Sequence, residues 1–554
     1  MRSLLLFLLF TTAASVSNAQ LKIDNAVFFI QPGATVTVQG DVTSNVDIQG
    51  TGLLQLKGSA LQNVDMGGFT IPNLELDNAL GATLLNTSAR IGSSMLFTTG
   101  KFQTGNFNAT LGPSATITGA NSSRFFWING TGQLRKELTA DIAAYELPVG
   151  ENANYRPAYL TTSGSAYGGG ANFGVRVSAA ADVNNPPMAA TFLKTSWPVT
   201  KTNITGGTVT LAGQYIDPAD VTGTEANLVG YFFNGTNWSS VGETHNTGTN
   251  RVSAPIATNT GTLSGINKFL TVGARAFLMG AYDPVTGLMT DNLRTLPFGS
   301  SASTANFPST DPYRVAPYNT AFTHVSNTAV ETIPNSGVIG AVAIAGDRIV
   351  DWVYLELRNL NASPGNVVLQ TRSALVQRDG DIVDVDGVSP VTFNNLVNGS
   401  YILSVRHRNH LGLSIDQSSP RTINETQSTA FTTNVVDLRT ATDPQLFGTA
   451  TAYTTAGHPV LTNVNLLWGG NASLNVVAGT QRTNFINPGN DKDYILITAL
   501  GNVPSGSLTN IYHIADLNMN KIVRFINPSN DKDFLLNNVL GLSASTFRVQ
   551  ALPQ

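Results

Sequence analysis

The sequence contains no cysteine at all. No disulfide can therefore support the fold, and catalysis by a thiol is excluded. The chain also lacks a Gly-x-Ser-x-Gly nucleophile motif and a phosphate-binding glycine loop. Together these absences argue against several common enzyme classes.

Charged residues are scarce. They make up 12% of the 554 residues, and the formal net charge is -4. Soluble domains usually carry about twice that share of charged residues. Nucleic acid and anionic membranes are therefore not expected as partners, because both are bound through clusters of positive charge.

Long apolar runs are missing too, apart from a short one at the N-terminus. Arg2 is followed by an apolar stretch over residues 4–10 and then by small residues ending at Ala19. This order is typical of a secretory signal peptide, so we expect cleavage after residue 19. No later stretch has the eighteen or so apolar residues that a membrane-spanning helix needs. The mature chain is expected to be secreted or to sit on the outer cell surface, without a transmembrane helix.

What the sequence has in abundance favours β-structure. Its 52 glycines accompany many Thr, Ser, Asn and Val residues, and turn signals recur about every 8 to 12 residues. Residues 20–150 consist of short alternating segments such as 34–38 and 53–56, which suit a β-solenoid or, alternatively, a sandwich. We expect a solenoid-like region there.

Two further β-regions follow. Residues 151–275 predict an immunoglobulin-like sandwich, with Trp238 as a core aromatic residue. Residues 276–450 predict a second sandwich. Within it, the segment from Asp351 to Arg358 alternates cleanly, which is typical of a strand with one solvated face.

The C-terminal region, residues 451–554, contains an internal repeat. The segment from Phe485 to Tyr494 recurs forty residues later, from Phe525 to Phe534. Each copy continues into an apolar segment with helical spacing that ends at Gly501 or Gly541. The pattern predicts a duplicated loop-helix unit.

The second copy has oxygen-bearing side chains with the spacing of a calcium loop. Asp516, Asn518 and Asn520 alternate as in the first half of an EF-hand loop, and Asp531 and Asp533 follow. These five residues form the predicted calcium site.

The first copy offers a weaker set of candidate ligands, and both copies have Val476 or Lys521 where a calcium loop prefers glycine. The first-copy residues are Asn471, Ser473, Asn475, Asp491 and Asp493. The alternative hypothesis needs no ion: Asn490 and Asn530 are helix N-caps, with aspartates in the first turn favoured by the helix dipole.

Two other clusters of polar residues suggest chemistry less strongly. Asp379, Asp381, Asp384 and Asp386 could bind calcium or act as an acid and base, but Asp-Gly steps favour a hairpin. The histidines of the Arg406–His410 segment lack a third clustered histidine for zinc, so a solvated strand end is favoured.

Several segments resemble a known group of proteins. The runs 277–284, 351–358, 372–387 and 405–412 are similar to those of large surface or secreted proteins of Bacteroidota, often described as haemagglutinin-like or adhesin-like. The final repeat resembles the degenerate dockerin-like repeat that closes many of them. In such repeats calcium is held by positions that correspond here to Asp516, Asn518, Asn520 and Asp531 or Asp533. Asn520 and Lys521 depart from the usual aspartate and glycine.

The sequence as a whole therefore predicts a mainly β, multi-domain protein with a solenoid-like N-terminal region, two sandwich-like domains and a small dockerin-like module containing helix. The leading functional hypothesis is adhesion or binding of a surface glycan or protein ligand without catalysis. One alternative is a component of extracellular polysaccharide degradation. Another is a structural envelope subunit.

Overall fold

A computed structural model describes most of the chain: residues 19–151, 153–185, 189–240, 245–360, 367–396, 399–423, 427–428, 434–440, 446–447, 452–456, 458–461, 463–477, 480–550 and 552. The predicted signal peptide lies outside these residues, apart from Ala19. The protein is mainly β, as its composition predicts. None of the helices in the described part of the chain is long and apolar enough to cross a bilayer.

The chain divides into two compact units. The first contains residues up to Asn184 together with Thr191–Gly235 and Ser240–Ile266, and the second contains Asn185–Ala190, Thr236–Ser239 and Asn267–Gln554.

The first unit begins with the predicted β-solenoid, which has about six turns. One face is a sheet with one short strand from each coil. Its strands, in spatial order, are Leu21–Ile23, Val42–Ser44, Gln62–Asp65, Ala82–Leu84, Phe102–Gln103, Phe126–Trp127, Val149–Glu151 and Asn154–Tyr155. All neighbouring pairs are parallel except the last.

The solenoid part of a second, larger sheet is also parallel. Its strands are Thr35–Val38, Leu53–Leu56, Thr70–Asp77, Ala89–Thr99, Ala109–Leu111 and Leu134–Glu137, with Thr116–Thr118 paired beside the fourth. A third pair is formed by Phe28–Ile30 and Ile48–Gly50.

The coils stack because their inward residues form ladders. Leu54 lies in register with Leu74, which lies in register with Met95, and all three are fully buried. Each coil buries its apolar face only against the coils beside it, so the stacking of neighbours creates the core.

Antiparallel strands complete the first unit. The larger sheet continues from Leu134–Glu137 through Ala166–Val175, Trp197–Thr205, Thr260–Asn267 and Leu228–Phe233, with Phe192–Leu193 and Val221–Thr222 at its side. A separate five-stranded sheet contains Tyr145–Leu147, Ala158–Ser163, Thr208–Gln214, Arg251–Pro255 and His245–Asn246. A single 3-10 turn covers Glu225–Asn227.

The second unit is built on a nine-stranded sheet. Its main path runs Val391–Asn394, Phe269–Arg275, Asp381–Val383, Val368–Gln377, Ile349–Asn359, Gly399–His407 and His410–Ser414, with Arg421–Ile423 and Val435–Asp437 paired off this path. Val368–Gln377 and Asp381–Val383 are antiparallel neighbours joined by a turn at Gly380, whose φ is +93°. The hairpin predicted for the aspartate cluster is confirmed.

The strand Ile349–Asn359 corrects one prediction. It has no solvated face: its residues are buried from Ile349 to Arg358. Neighbouring strands pair with both of its edges, and chain segments outside the sheet cover its side chains, as where Trp352 Nε1 donates to the Pro308 carbonyl at 2.9 Å. Its polar side chains are satisfied internally. Glu356, for example, pairs with Arg358 and with Arg406, whose Nη1 lies 3.0 Å from the carboxylate.

Smaller elements fill the rest of the second unit. Its remaining strands are Asn237–Ser239, Phe277–Leu278, Tyr282–Asp283, Leu288–Met289, Phe298–Gly299, Phe307–Pro308, Gln427–Ser428, Ala452–Ala456, Asn463–Leu467, Val476–Val477, Thr480–Asn484, Ser507–Thr509, Ile522–Arg524 and Phe547–Val549. Its 3-10 turns are Asn292–Thr295, Pro312–Arg314 and Tyr318–Thr320. Trp238 is 2% exposed, which confirms the prediction of a core residue.

Helix in the C-terminal repeat occurs where the sequence predicts it. Each copy has one α-helical turn, Asp491–Asp493 or Asp531–Asp533, followed by a π-helical segment, Tyr494–Ala499 or Phe534–Val539. The repeat shares one hydrophobic core with the nine-stranded sheet. Ile495, Leu535 and Val539 belong to the same buried cluster as Trp352 and Leu375.

Candidate functional site

The two copies of the C-terminal repeat clasp each other reciprocally. Arg482–Asn484 in the first copy pairs with Phe547–Val549, which follows the second helix, and Ile522–Arg524 pairs with Ser507–Thr509, which follows the first. Asn484 pairs with Phe547, and Arg524 pairs with Ser507. Asn484 and Arg524 are forty residues apart in the sequence, and so are Ser507 and Phe547. The repeat therefore forms one closed, pseudo-twofold pair.

The asparagines of the repeat are helix N-caps, as the ion-free alternative predicts. The Asn530 side chain accepts a hydrogen bond of 2.7 Å from the backbone N–H of Asp533, and its Nδ2 donates to the Asp533 carboxylate at 2.7 Å. Asn490 and Asp493 repeat this arrangement. These cap bonds lower the pKa of Asp533 and Asp493.

The first aspartate of each helix has a different role. Asp531 is fully buried, and its two oxygens accept hydrogen bonds of 2.8 Å from the backbone N–H groups of Leu517 and Arg524. Asp491 accepts in the same way from Ser473 and Asn484. Each buried carboxylate thus links its helix to two other backbone segments. It accepts hydrogen bonds from N–H groups there that need an acceptor.

Asp516 organises the predicted calcium loop. Its oxygens accept from the backbone N–H groups of Asn520 at 3.0 Å and Lys521 at 2.9 Å. Lys521 has a φ of +68°, so the turn that calcium loops build with glycine is present here with a lysine in its place.

The predicted calcium ligands divide into two sets. Asp516 and Asp531 are buried. Burial raises the pKa of Asp516 to about 7, and burial together with the neighbouring Asp516 charge raises the pKa of Asp531. Asn518, Asn520 and Asp533 instead line an open groove. Among the described residues, no three His, Asp or Glu side chains lie close enough to hold a metal ion.

This groove is the candidate functional site, and we call it the amide groove. It has a volume of about 500 Å³. Its walls come from two distant parts of the second unit: Gly280, Ala281, Tyr282, Thr290, Asn292, Asn518, Asn520, Pro528, Ser529, Asn530, Asp533, Phe534, Asn537 and Asn538.

The amide groove contains polar atoms whose hydrogen-bonding capacity is unused. The Tyr282 hydroxyl and Asn518 Oδ1 are buried and have no hydrogen-bond partner among the described residues. Burial also raises the pKa of Tyr282. Asn537 and Asn538 are exposed and bring two further amides to the groove. Because an amide both donates and accepts, this lining suits a ligand rich in hydroxyl groups.

One wall of the groove is fixed by a buried histidine pair. The backbone N–H of Gly280 donates to His410 Nε2 at 2.9 Å, so the neutral His410 ring carries its proton on Nδ1. His410 Nδ1 lies 2.9 Å from His407 Nδ1, and His407 Nε2 lies 3.0 Å from the Asp351 carboxylate. The chain of bonds therefore runs from Gly280 through both histidines to Asp351.

These histidines correct a second prediction. His407 and His410 are fully buried and do not end a solvated strand. Burial lowers the pKa of both rings. Burial opposes the ionisation of Asp351, but the adjacent Arg408 and His407 hold the pKa of its carboxyl below its usual value.

The segment between the histidines joins the repeat to the sheet. The Asn409 carbonyl accepts from the Asn471 N–H at 3.0 Å, and Asn409 Nδ2 donates to the Asp516 carbonyl at 2.7 Å. One asparagine thus contacts both copies of the repeat. Nearby, the Tyr512 hydroxyl donates to Asp351 at 2.6 Å.

The sequence interpretation missed most of the amide groove. Tyr282 and Asn292 lie more than two hundred residues before the second copy and reach it only through tertiary packing. Asn537 and Asn538 did carry a signal, because the first copy has Ile497 and Thr498 at the corresponding positions. The two copies therefore differ at positions that line the amide groove.

Comparison with known proteins gives no further guide. No protein-family model matches the chain, and no curated protein or solved structure matches it significantly.

Proposed function

We propose that this is a secreted or surface-exposed binding protein of the adhesin-like class, and that the amide groove holds a glycan. The observation that carries this proposal is the pair of exposed amides, Asn537 and Asn538, in a groove that Asn292, Asn518 and Asn520 also line. Tyr282 and Phe534 add aromatic surface against which the apolar face of a sugar ring can pack. Few polar anchors on a partly apolar wall are typical of small-ligand sites.

The groove favours binding over hydrolysis. Glycoside hydrolysis needs two carboxyl groups, about 5 to 9.5 Å apart, flanking the bond. Asp533 is the one carboxylate among the described residues that line the amide groove. Its oxygen is also engaged by the Asn530 cap.

The proposal includes the finer domain assignments. Two sandwich-like domains at 151–275 and 276–450 and a dockerin-like module at 451–554 are the arrangement that the resemblance to Bacteroidota surface proteins implies. Within this proposal the dockerin-like module is a wall of the binding site.

Binding is tested with immobilised neutral polysaccharides, namely xylan, laminarin and mannan, by affinity electrophoresis of the full chain. We expect retention on at least one of them, weakened about thirtyfold in the N537A/N538A variant, since two lost hydrogen bonds at about 1 kcal/mol each correspond to that factor. The matched control is I497A/T498A in the first copy, which should bind like the unmodified protein.

Three outcomes would contradict the proposal. Equal retention of N537A/N538A and the unmodified chain would remove the amide groove as the site. Turnover of the polysaccharide that is lost in D533N would favour polysaccharide degradation. Long ordered assemblies of purified protein without glycan binding would favour the structural envelope subunit.

A further inference from the structure

A second groove lies on the solenoid of the first unit, and it is separate from the amide groove. It has a volume of about 620 Å³, and three successive coils line it, at residues 79–80, at 98–101 with Gln103, and at 123–124 with Trp127. Neighbouring coils of a parallel sheet are about 4.8 Å apart, so the groove runs across the coils at a regular step. We call it the solenoid groove.

Two cationic side chains line the solenoid groove in a chain whose net charge is negative: Lys101 and Arg124. The described lining residues include no Asp or Glu. The wall residues Thr98 and Thr99 donate to Glu75 and Asp77, and Asp77 is also paired with Lys57 at 2.8 Å. Arg124 is held in place by a 2.8 Å hydrogen bond from its Nη1 to the Thr98 carbonyl. Lys101 Nζ lies 4.9 Å from the centre of the Phe125 ring and 5.9 Å from that of Trp127. Both cations are therefore positioned by the fold.

The groove also offers apolar surface. Trp127 is half-buried in the wall, and Leu80 is 61% exposed at the rim. Trp127 Nε1 has no hydrogen-bond partner among the described residues. A flat aromatic wall next to two cations matches a ligand that has ring faces and repeated negative charge.

We propose that the solenoid groove binds an anionic polysaccharide, with its carboxylates on Lys101 and Arg124 and a sugar ring against Trp127. Two cations are too few for the phosphate contacts on which nucleic-acid binding depends. The aromatic wall distinguishes the groove from a simple polyanion patch. This site lies in the first unit and does not depend on the amide groove.

The test compares two forms of one polymer, polygalacturonate and its methyl ester, by isothermal titration with the full chain. We expect binding of polygalacturonate, weaker binding at higher salt, and no detectable binding of the neutral ester. K101M should lower the affinity about tenfold, and W127F should lower it less. K22M, at an exposed lysine of the first coil outside the groove, should leave it unchanged.

Several results would overturn this proposal. One is equal binding of the acid and the ester, and another is unchanged affinity in K101M. Binding of poly-glutamate as tight as that of polygalacturonate would show a site for acidic peptide. N537A/N538A serves as the cross-control: it should bind polygalacturonate normally, so that failure of the amide groove and failure of the solenoid groove are separate results.

Discussion

At the scale of single residues, Lys521 shows how the repeat departs from an ordinary calcium loop. Its φ of +68° lies in the left-handed region, and its Nζ lies 2.6 Å from Thr295 Oγ1. That region costs a residue with a Cβ roughly 1–2 kcal/mol, whereas glycine adopts it freely. The turn is thus maintained by the Asp516 hydrogen bonds against local strain.

The strain can be measured by comparing K521G with K521A. Both variants lose the contact with Thr295, so they differ only in backbone preference. We expect K521G to be the more stable by about 0.5–1 kcal/mol, because part of the relief is offset by the greater chain entropy of glycine. Urea unfolding of the full chain gives the difference. A K521A variant as stable as K521G would mean that the position is not strained.

His410 predicts a pH dependence. Its Nε2 accepts from Gly280, so protonation at that atom breaks a buried hydrogen bond. Burial holds its pKa well below the usual value, with the charges of His407 and Arg408 adding to the effect. In the unfolded chain His410 binds a proton near pH 6.5. Its contribution to stability is therefore present above that pH and is lost as the pH falls below it.

The expected loss is about 1.4 kcal/mol per pH unit below pH 6.5 for this group. Buried carboxyls with raised pKa values, such as Asp491, change the stability with pH in the opposite direction. The contribution of His410 is therefore measured by comparing two proteins. The free energy of unfolding of H410Q should depend less on pH between 6.5 and 5 than that of the unmodified chain. Parallel pH curves for the two proteins would show that His410 is not the responsible group.

Sequence reasoning succeeded where the deciding contacts are local. The caps at Asn490 and Asn530 need only a donor three residues away, and the Asp379–Gly380 turn needs only its own backbone. It failed for His407 and His410, because the lack of a third clustered histidine argues against zinc but does not show whether the two rings are exposed. Their burial depends on Gly280 and Asp351, which lie far away in the chain.

At the scale of elements, periodicity predicted the solenoid but misjudged the strand Ile349–Asn359. Alternation identifies one apolar face correctly in both cases. It cannot show whether the polar face meets water or buried ionic partners. In this strand Glu356 forms an ion pair with Arg406, so the face that carries polar residues is buried as well.

Calcium at the second copy of the repeat remains a prediction, and it belongs to this scale. Asp516 and Asp531 are close enough for the charge of one to raise the pKa of the other. A cation between the two carboxylates would relieve this repulsion. An ion that binds only the folded state stabilises it by about 2.7 kcal/mol at a hundredfold excess over Kd.

We therefore expect millimolar calcium to raise the melting temperature of the full chain, with weak affinity in the roughly 10⁻⁴ to 10⁻³ M class of extracellular modules. D516N should abolish the rise, while N471A in the first copy should retain it. If calcium changes neither melting nor proteolysis of the unmodified chain, the buried aspartates serve only as acceptors for backbone N–H groups.

At the scale of the whole molecule, the repeat looks separable in sequence but shares its core with the sheet. Leu517, Leu535 and Val539 lie in the same hydrophobic cluster as Leu355 of the central strand. A duplicated segment predicts a module because its two copies match each other. The sequence of the repeat alone does not show how much apolar surface stays uncovered after the two copies pair. Here that surface is buried against the nine-stranded sheet.

This shared core predicts that damage in the repeat spreads through the second unit. Leu535 is fully buried, whereas Leu542, seven residues later, is 75% exposed. L535A should lower the stability of the second unit by about 2–5 kcal/mol, the usual cost of removing a buried leucine side chain, and L542A should change it little. Hydrogen exchange of the full chain reports where protection is lost. We expect L535A to accelerate exchange in Ile349–Asn359 as well as in the repeat, while the solenoid strands of the first unit keep their protection. Acceleration confined to residues near position 535 would show that the repeat unfolds alone, as an independent module would.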